Sequence, residues 1–289
     1  MFENDSLQRF LFEGLGIRGE IARLDSCWRT VLGQHSYPPL IAEQLGQALA
    51  ATVLLSATIK FQGSLILQAH GSGPIHTLVA QATHTRSLRG LARWKGQVKG
   101  RSLAELYGEG RLVLTINNEG AEPYQGIVAL ESANLAEALQ SYFTLSEQLP
   151  TRLWLAANEH RAVGLFVQEL PSHRRSAEDW RRVCFLADTV TPGELLSLPT
   201  GALLYRLFHE EQLRLFEPET VTFRCGCSRD RIENLLSNLA KSDIQGVIRE
   251  RGFVEVSCEF CNRHYRFDPV DIGMLLSGQV KTHQIATRQ

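Results

Sequence analysis

Phe223-Arg224-Cys225-Gly226-Cys227-Ser228 and Cys258-Glu259-Phe260-Cys261, with thirty residues (228–257) between Cys227 and Cys258, set four cysteines into two short-spaced pairs. The chain has six cysteines in 289 residues, and the other two, Cys27 and Cys184, lie upstream. Thiols crowded in this way point, in a reducing compartment, to a metal or redox site rather than to a secreted disulfide scaffold. Zinc asks for four ligands in a tetrahedron, at ~2.3 Å for sulfur. Two pairs from different turns meet that demand, each spanning one edge. The expected ligands of one Zn2+ are therefore Cys225, Cys227, Cys258 and Cys261. His264, three residues after Cys261, could replace one of them. The four cysteines already complete the set, so it reads as a surface residue or an outer partner of the site.

The unit that carries these cysteines, 219–289, is too small to bury much apolar surface. A structural zinc supplies apparent binding free energy on the order of 10–16 kcal/mol, comparable with the stability of a whole domain. The metal is expected to hold the unit together. Ser228 is placed to cap a helix over 229–249, with Ile232, Leu235, Leu236, Leu239, Val247 and Ile248 on its inner side. Residues 253–256 and 265–267 read as a short hairpin around Cys258 and Cys261. Asp268-Pro269-Val270-Asp271 opens a last helix, with Asp at the N-cap, proline at N1 and an acid in the first turn. No periodic pattern follows Gly278.

Upstream, 172–218 changes character. It opens on a charged run (Arg174, Arg175, Glu178, Asp179, Arg181, Arg182) and continues as helix-length pieces interrupted by Pro192-Gly193 and Pro199-Thr200-Gly201. Leu203, Leu204, Leu207 and Phe208 at helical spacing can bury an apolar stripe. Helices so interrupted depend on docking more than on their own propensity, so this is expected to be a metastable helical linker.

Residues 1–171 read as one mixed domain. An apolar-periodic stretch over 7–12 is followed by a long helix over 38–59, whose prolines suit its start and whose alanines suit close packing on a sheet. Strands are expected over 64–68, 75–83, 88–94, 112–117 and 124–130, punctuated by Gly71, Gly73, Pro74, Asn118, Gly120 and Pro123. A helix over 134–149 has Asn134 as N-cap, and strands over 152–156 and 163–170 close the domain. Short turns between sequential strands give an α+β class with a largely antiparallel sheet. The domains expected are thus 1–171, a linker over 172–218, and a C-terminal zinc-binding domain over 219–289.

Thirty Lys and Arg against thirty-one Asp and Glu give a formal net charge of −1, no field for recruiting nucleic acid or anionic lipid. Within 219–289, ten basic residues against nine acidic ones leave only +1. The longest apolar candidate for a membrane span, 44–59, carries Gln44, Gln47 and Ser56 and falls short of the ~20 residues needed. The N-terminus, MFENDSLQRF, has acids where a secretory signal has bases. A soluble, cytoplasmic protein without nucleic-acid or membrane partners is expected. Cys27 and Cys184 lack a partner motif and read as small buried hydrophobes. Gly71-Ser72-Gly73 reads as a turn, since it lacks the third glycine of a dinucleotide loop. Asp25, Ser26 and His35 do not suggest a triad, and the chain is expected not to be an enzyme.

Both pairs are close enough to close into local disulfides once a metal leaves, and zinc thiolates are already the reactive ionised form. Spacing alone does not separate such a switch from an inert staple. At these residues, however, the chain resembles the 33 kDa chaperonin family, the redox-regulated heat-shock holdases of bacteria, over essentially its full length. The resemblance rests on Gly71-Ser72-Gly73-Pro74, Arg89-Gly90-Leu91-Ala92-Arg93, Tyr124-Gln125-Gly126-Ile127-Val128 and Tyr142-Phe143. It continues through Ser146-Glu147-Gln148-Leu149-Pro150-Thr151-Arg152-Leu153, Phe208-His209-Glu210-Glu211, and the two cysteine motifs. It implies a reduced, zinc-loaded form inactive as a chaperone. Peroxide or hypochlorous acid, with an unfolding stress, would form Cys225–Cys227 and Cys258–Cys261 and release zinc. The C-terminal unit and linker would then unfold, and a homodimer would bind unfolding clients without ATP. Thr200-Gly201 departs from the polar or acidic helix formers expected in the last linker helix.

Two other readings compete. A zinc-ribbon adapter for nucleic acid or a protein partner predicts constitutive, salt-sensitive binding, which the near-neutral charge disfavours. A thiol–disulfide oxidoreductase using Cys258 and Cys261 needs a thiol at a helix N-terminus, whereas this pair reads as part of a hairpin turn.

Overall fold

The computed structural model describes residues 5–171 and 176–277. Arg174 and Arg175 of the charged run, and the tail after Gly278, lie outside the described residues. The chain divides into two compact units, Met1–Arg224 and Cys225–Gln289. Residues 219–224, read from sequence as the start of the C-terminal domain, belong to the first unit because they pair with its strands.

The first unit begins with a hairpin of β1 (Ser6–Phe12) and β2 (Ile17–Leu24), then α1 (Ser26–Leu32) and α2 (Pro39–Thr58). Strands β3 (Gly63–Gly71), β4 (Ile75–Thr83) and β5 (Ser87–Trp94) lead to α3 (Leu103–Tyr107), β6 (Gly110–Asn118) and β7 (Tyr124–Ala129). Next come α4 (Leu135–Tyr142), a π turn over Phe143–Glu147, and β8 (Thr151–Ala157) with β9 (Ala162–Glu169). Helices α5 (Ala177–Ala187), α6 (Pro192–Ser197) and α7 (Thr200–Phe208) precede three short strands, β10 (Leu213–Leu215), β11 (Glu219–Thr220) and β12 (Thr222–Phe223). One sheet has the order β10-β1-β2-β9-β8, with β11 also on β1, and the other has β12-β5-β4-β3-β6-β7. All these pairings are antiparallel except β12 on β5. The α+β class with largely antiparallel sheets therefore holds.

Helix α2 packs against β3, β4 and β5 of one sheet and β2, β8 and β9 of the other. A helix that is apolar nearly all round must be buried, and Leu45, Leu49, Val53, Leu54 and Leu55 are. The sheet comes close enough that a Cβ on Gly164 would lie 2.6 Å from Leu54 Cδ1. The helix starts at Pro39, so its 20 residues reach spanning length. That corrects the expectation of a shorter apolar stretch. Most of it is buried between the sheets, which accounts for its composition without a membrane. Its last carbonyls are met by cations: Arg86 Nη1 donates to Ser56 O at 2.9 Å and Arg18 Nη2 to Thr58 O at 3.3 Å, where the helix dipole is negative.

The other face of the first sheet is covered by α5–α7. Phe10, Phe12, Ile17, Ile21, Val163, Leu165 and Val167 form one apolar layer with Val183, Leu195, Leu203, Leu204, Leu207 and Phe208. Phe12 and Phe208 meet edge to face, centroids 4.9 Å apart. The prolines that read as interruptions are starts. Thr191 caps α6 in a capping box with Glu194 and Pro192 follows, while Pro199 precedes α7; both suit proline's fixed φ and missing N–H. Polar ties fix the helices from the sheet. Asp188 accepts from Arg152 and from Trp154 Nε1 (3.2 Å), and Arg161 Nη1 donates to Leu196 O at 2.8 Å. The segment is not helical to its end, because β10 and β11 return to β1.

Two further expectations are corrected. The helix over 134–149 ends at Tyr142. Its N-cap is Asn134 as expected, but the Tyr142 hydroxyl donates to Glu147 Oε1 at 2.8 Å and Gln148 adopts a left-handed φ of 55°, which closes the last turn as a π turn. Strand β2 and helices α1 and α3 were not anticipated.

Glu20 in β2 is 1% exposed, sits opposite Arg9 in the β1–β2 register, and has no partner for Oε2 among the described residues. Burial raises its pKa to about 7, against the opposing charges of Arg18, Arg86 and Arg9. A carboxyl raised on folding favours the folded state below its ordinary pKa, and that contribution is lost as pH rises through 7. The loss is roughly 3 kcal/mol. Glu20→Gln is expected to flatten the fall in stability of the first unit between pH 5 and 8. Urea midpoints read by tryptophan fluorescence check this, since all four tryptophans lie in that unit. Identical pH slopes for wild type and variant would exclude it.

The second unit has α8 (Arg229–Ser237), α9 (Lys241–Arg251), the hairpin β13 (Val254–Ser257) and β14 (His264–Phe267), and α10 (Pro269–Leu276). Ser228 and Asp268 cap α8 and α10 as expected. The single helix expected over 229–249 is broken. Ser237 Oγ and Asn238 Nδ2 both donate to Asn234 O at 2.8 Å, and such side chains compete with the helix for its carbonyls. Leu235 and Leu239 consequently face solvent. Among the described residues, the core is six buried side chains: Leu236, Ile244, Val254, Phe267, Ile272 and Leu275. Arg229 binds it from outside, pairing with Glu233 and Asp271, donating to Arg266 O, and lying 4.4 Å over the Phe267 ring.

Candidate metal centre

Cys225 and Cys227 lie on the extended segment before α8, and Cys258 and Cys261 in the turn between β13 and β14. That turn is fixed by its backbone. Cys258 N–H donates to Arg263 O at 2.9 Å and Asn262 N–H to Cys258 O at 2.7 Å, with Asn262 at a left-handed φ of 52°, a conformation asparagine tolerates. On the other arm, Arg231 Nη1 donates to Gly226 O at 2.6 Å. The four sulfurs lie within 4.8 Å of one another. Cys225 Sγ is 3.5 Å from Cys258 Sγ, and Cys227 Sγ is 3.4 Å from Cys261 Sγ. All four are free thiols. Sulfurs around a tetrahedral zinc at 2.3 Å stand roughly 3.8 Å apart, so this donor set suits such an ion and could hold a metal.

The electrostatics are uneven. At Cys227, burial raises the pKa, but hydrogen bonds from the Tyr265 hydroxyl (3.1 Å) and the neighbouring cysteines outweigh it and bring it to about 7. Burial raises Cys258, against the N–H groups of Phe260 and Cys261, and pushes Cys261 up to about 12. Negative charge therefore collects at Cys227. Tyr265 is the residue that sequence reasoning missed: no motif marks it, and only the return of β14 places its hydroxyl on a sulfur. His264 is exposed and shares a proton between Nδ1 and Ser257 Oγ at 2.8 Å, outside the sulfur cluster.

The other candidates stay apart from the site. Cys27 is buried, 2.7 Å from Asp5 Oδ1, and burial raises its pKa far out of the reactive range. Burial pushes Cys184, on α5, up to about 12. Asp25 pairs with Arg161, Ser26 Oγ accepts from Arg29, and His35 packs on Tyr37. Gly71-Ser72-Gly73 is a packing turn, whose Ser72 Oγ accepts from Glu109 N–H at 3.2 Å.

The model of the Hsp33 protein family matches residues 5–268, both cysteine pairs included. The chain belongs to the Hsp33 family. Among Hsp33 relatives, it is 62% identical over 288 residues to the 33 kDa chaperonin of Nitrosococcus oceani, covering 100% of both chains. It is 47% identical over 296 residues to that of Azotobacter vinelandii, again covering 100% of both. The crystal structure of a 33 kDa chaperonin from Thermotoga maritima shares the fold with a TM-score of 0.85 at 24% identity, covering 95% of this chain and 99% of that one. The Hsp33 family is one of chaperones, not of enzymes.

Proposed function

We propose that this protein is a redox-regulated, ATP-independent holdase of the cytoplasm. The observation that carries the reading is the cluster of four free thiols in a unit whose core, among the described residues, is only six buried side chains. In the reduced form, Cys225, Cys227, Cys258 and Cys261 hold one Zn2+, whose binding supplies folding free energy that this core lacks. Oxidation by peroxide or hypochlorous acid closes Cys225–Cys227 and Cys258–Cys261. With peroxide, each disulfide takes two thiols and one peroxide and yields two waters. The sulfurs are then no longer ligands, zinc is lost, and the second unit, from Cys225 onward, unfolds with the linker (172–218).

Departure of α5–α7 would bare Phe10, Phe12, Ile17, Ile21, Val163, Leu165 and Val167 on a sheet still held together by its strands. Such a surface suits the exposed apolar segments of unfolding client proteins. The active form is a homodimer. Neither nucleic acid nor membrane is a partner on this reading, in keeping with the net charge of −1. The test is suppression of aggregation of a thermally unfolding client by reduced zinc-loaded and by oxidised zinc-free protein. Strong suppression by the oxidised form alone is expected, and equal activity of the two would defeat the switch.

A further inference from the structure

Residues 219–224 lie between two segments that the redox reading unfolds, yet they are built into the scaffold. Strand β11 pairs with β1 through Thr220–Ser6 and Glu219–Leu7, and β12 runs parallel to β5 through Thr222–Ser87 and Phe223–Leu88. One short segment thus joins both sheets. Val221 N–H donates to Asp5 O at 2.7 Å, Thr222 N–H to Arg86 O at 3.0 Å and Arg224 N–H to Leu88 O at 3.0 Å. Glu219 adds two ion pairs, Oε1 with Arg9 Nη2 and Oε2 with Arg86 Nε, each at 2.8 Å. Arg86 is itself fixed, because its Nη1 also donates to Ser56 O and Oγ at the end of α2.

Burial separates this segment from the linker. Val221 is 1% exposed and belongs, with Phe223, to the core around α2. Among the described residues, no side chain from 172–218 contributes to that core. Leu213 of β10, in contrast, packs in the layer that α5–α7 form on the first sheet. Removing α5–α7 takes apolar neighbours from Leu213 and leaves those of Val221 in place. At its other end the linker leaves β9, where Leu170 N–H donates to Gly16 O at 2.8 Å.

We propose that residues 219–224 are a clasp that stays docked on both sheets when the segments on either side unfold, so that the released linker is a loop closed at both ends and not a free tail. The inference rests on the redox reading above and adds where its unfolding stops. A closed loop has fewer conformations than a tail and gives up less entropy on returning to the sheet.

Amide exchange on the full chain tests the clasp. After oxidation and zinc loss, the amides of Val221, Thr222 and Arg224 should keep the protection of β1 and β5 while those of α5–α7 lose theirs. In reduced, zinc-loaded protein under sub-denaturing urea, the same three amides should open with the sheets, at a higher urea concentration than the linker. Glu219→Gln, which removes the charge that Arg9 and Arg86 share, should speed exchange at Val221 and Thr222 by roughly three- to tenfold and leave β4 unchanged. Exchange of the three amides in step with α5–α7, in either arm, overturns the proposal, as does wild-type exchange at Val221 and Thr222 in Glu219→Gln. Oxidised protein whose α5–α7 stay protected overturns the redox reading instead, and the urea arm still decides the clasp.

Discussion

Cys261→Ser is expected to unfold the second unit, release the linker helices and leave the two sheets of the first unit intact. Among the described residues, the second unit has a single apolar core of six buried side chains. Loss of one thiolate forfeits much of a binding free energy on the order of 10–16 kcal/mol, against domain stabilities of about 5–15 kcal/mol. Amide exchange should show protection lost over α8, α9, β13, β14 and α10. The fluorescence of Trp28 and Trp94, packed on the core away from the linker, should not move, whereas Trp180 on α5 should report the linker's release. Chelation of wild-type protein should reproduce the pattern, with zinc restoring it in wild type only. A variant that keeps its second-unit protection without metal would show that the small core suffices.

Phe208→Ala should have the next largest effect. The side chain is 1% exposed and wedged against Phe10 and Phe12. Truncating a buried phenylalanine costs about 3–5 kcal/mol, which short helices started by Pro192 and Pro199 have no intrinsic propensity to offset. In reduced, zinc-loaded protein, α5–α7 should lose exchange protection while Trp28 stays in its packed environment. The reduced variant should also suppress client aggregation that reduced wild type does not. Unchanged protection would mean that the polar ties at Asp188 and Leu196 hold the linker by themselves. Loss of the Trp28 signal would mean that the whole first unit depends on Phe208.

The site was legible because its chemistry is local in sequence. Two ligands within three residues, and two within four, need little from the fold. Caps at Ser228, Asn134 and Asp268 were legible for the same reason, each bonding to an N–H a few residues on. What escaped depended on distant partners. Strand β2 carries Arg18, Glu20 and Arg23 among its inner residues, so its alternation does not read as apolar. Glu20 is buried only because α2 and the sheet close over it. Strands β11 and β12 are two residues each, too short for any periodicity, and exist because β1 and β5 offer open edges. The break between α8 and α9 turns on which side chains capture Asn234 O. Tyr265 becomes visible only when a hairpin brings it back to Cys227.

The pairing of β1 with β10 and β11 bears on how the chain is made. Ser6 pairs with Thr220, and Gln8 Nε2 donates to Phe216 O at 3.0 Å. At roughly 5–20 residues per second, β1 leaves the ribosome about ten to forty seconds before these partners. For that interval its outer edge is an open template for other nascent strands. Arg9 and Gln8, a charge and an amide on that edge, are what the young chain has to keep it unpaired. The N-terminal sheet is therefore completed only late in synthesis, by residues just ahead of Cys225, and the thiol cluster emerges after the scaffold it is proposed to govern is nearly closed.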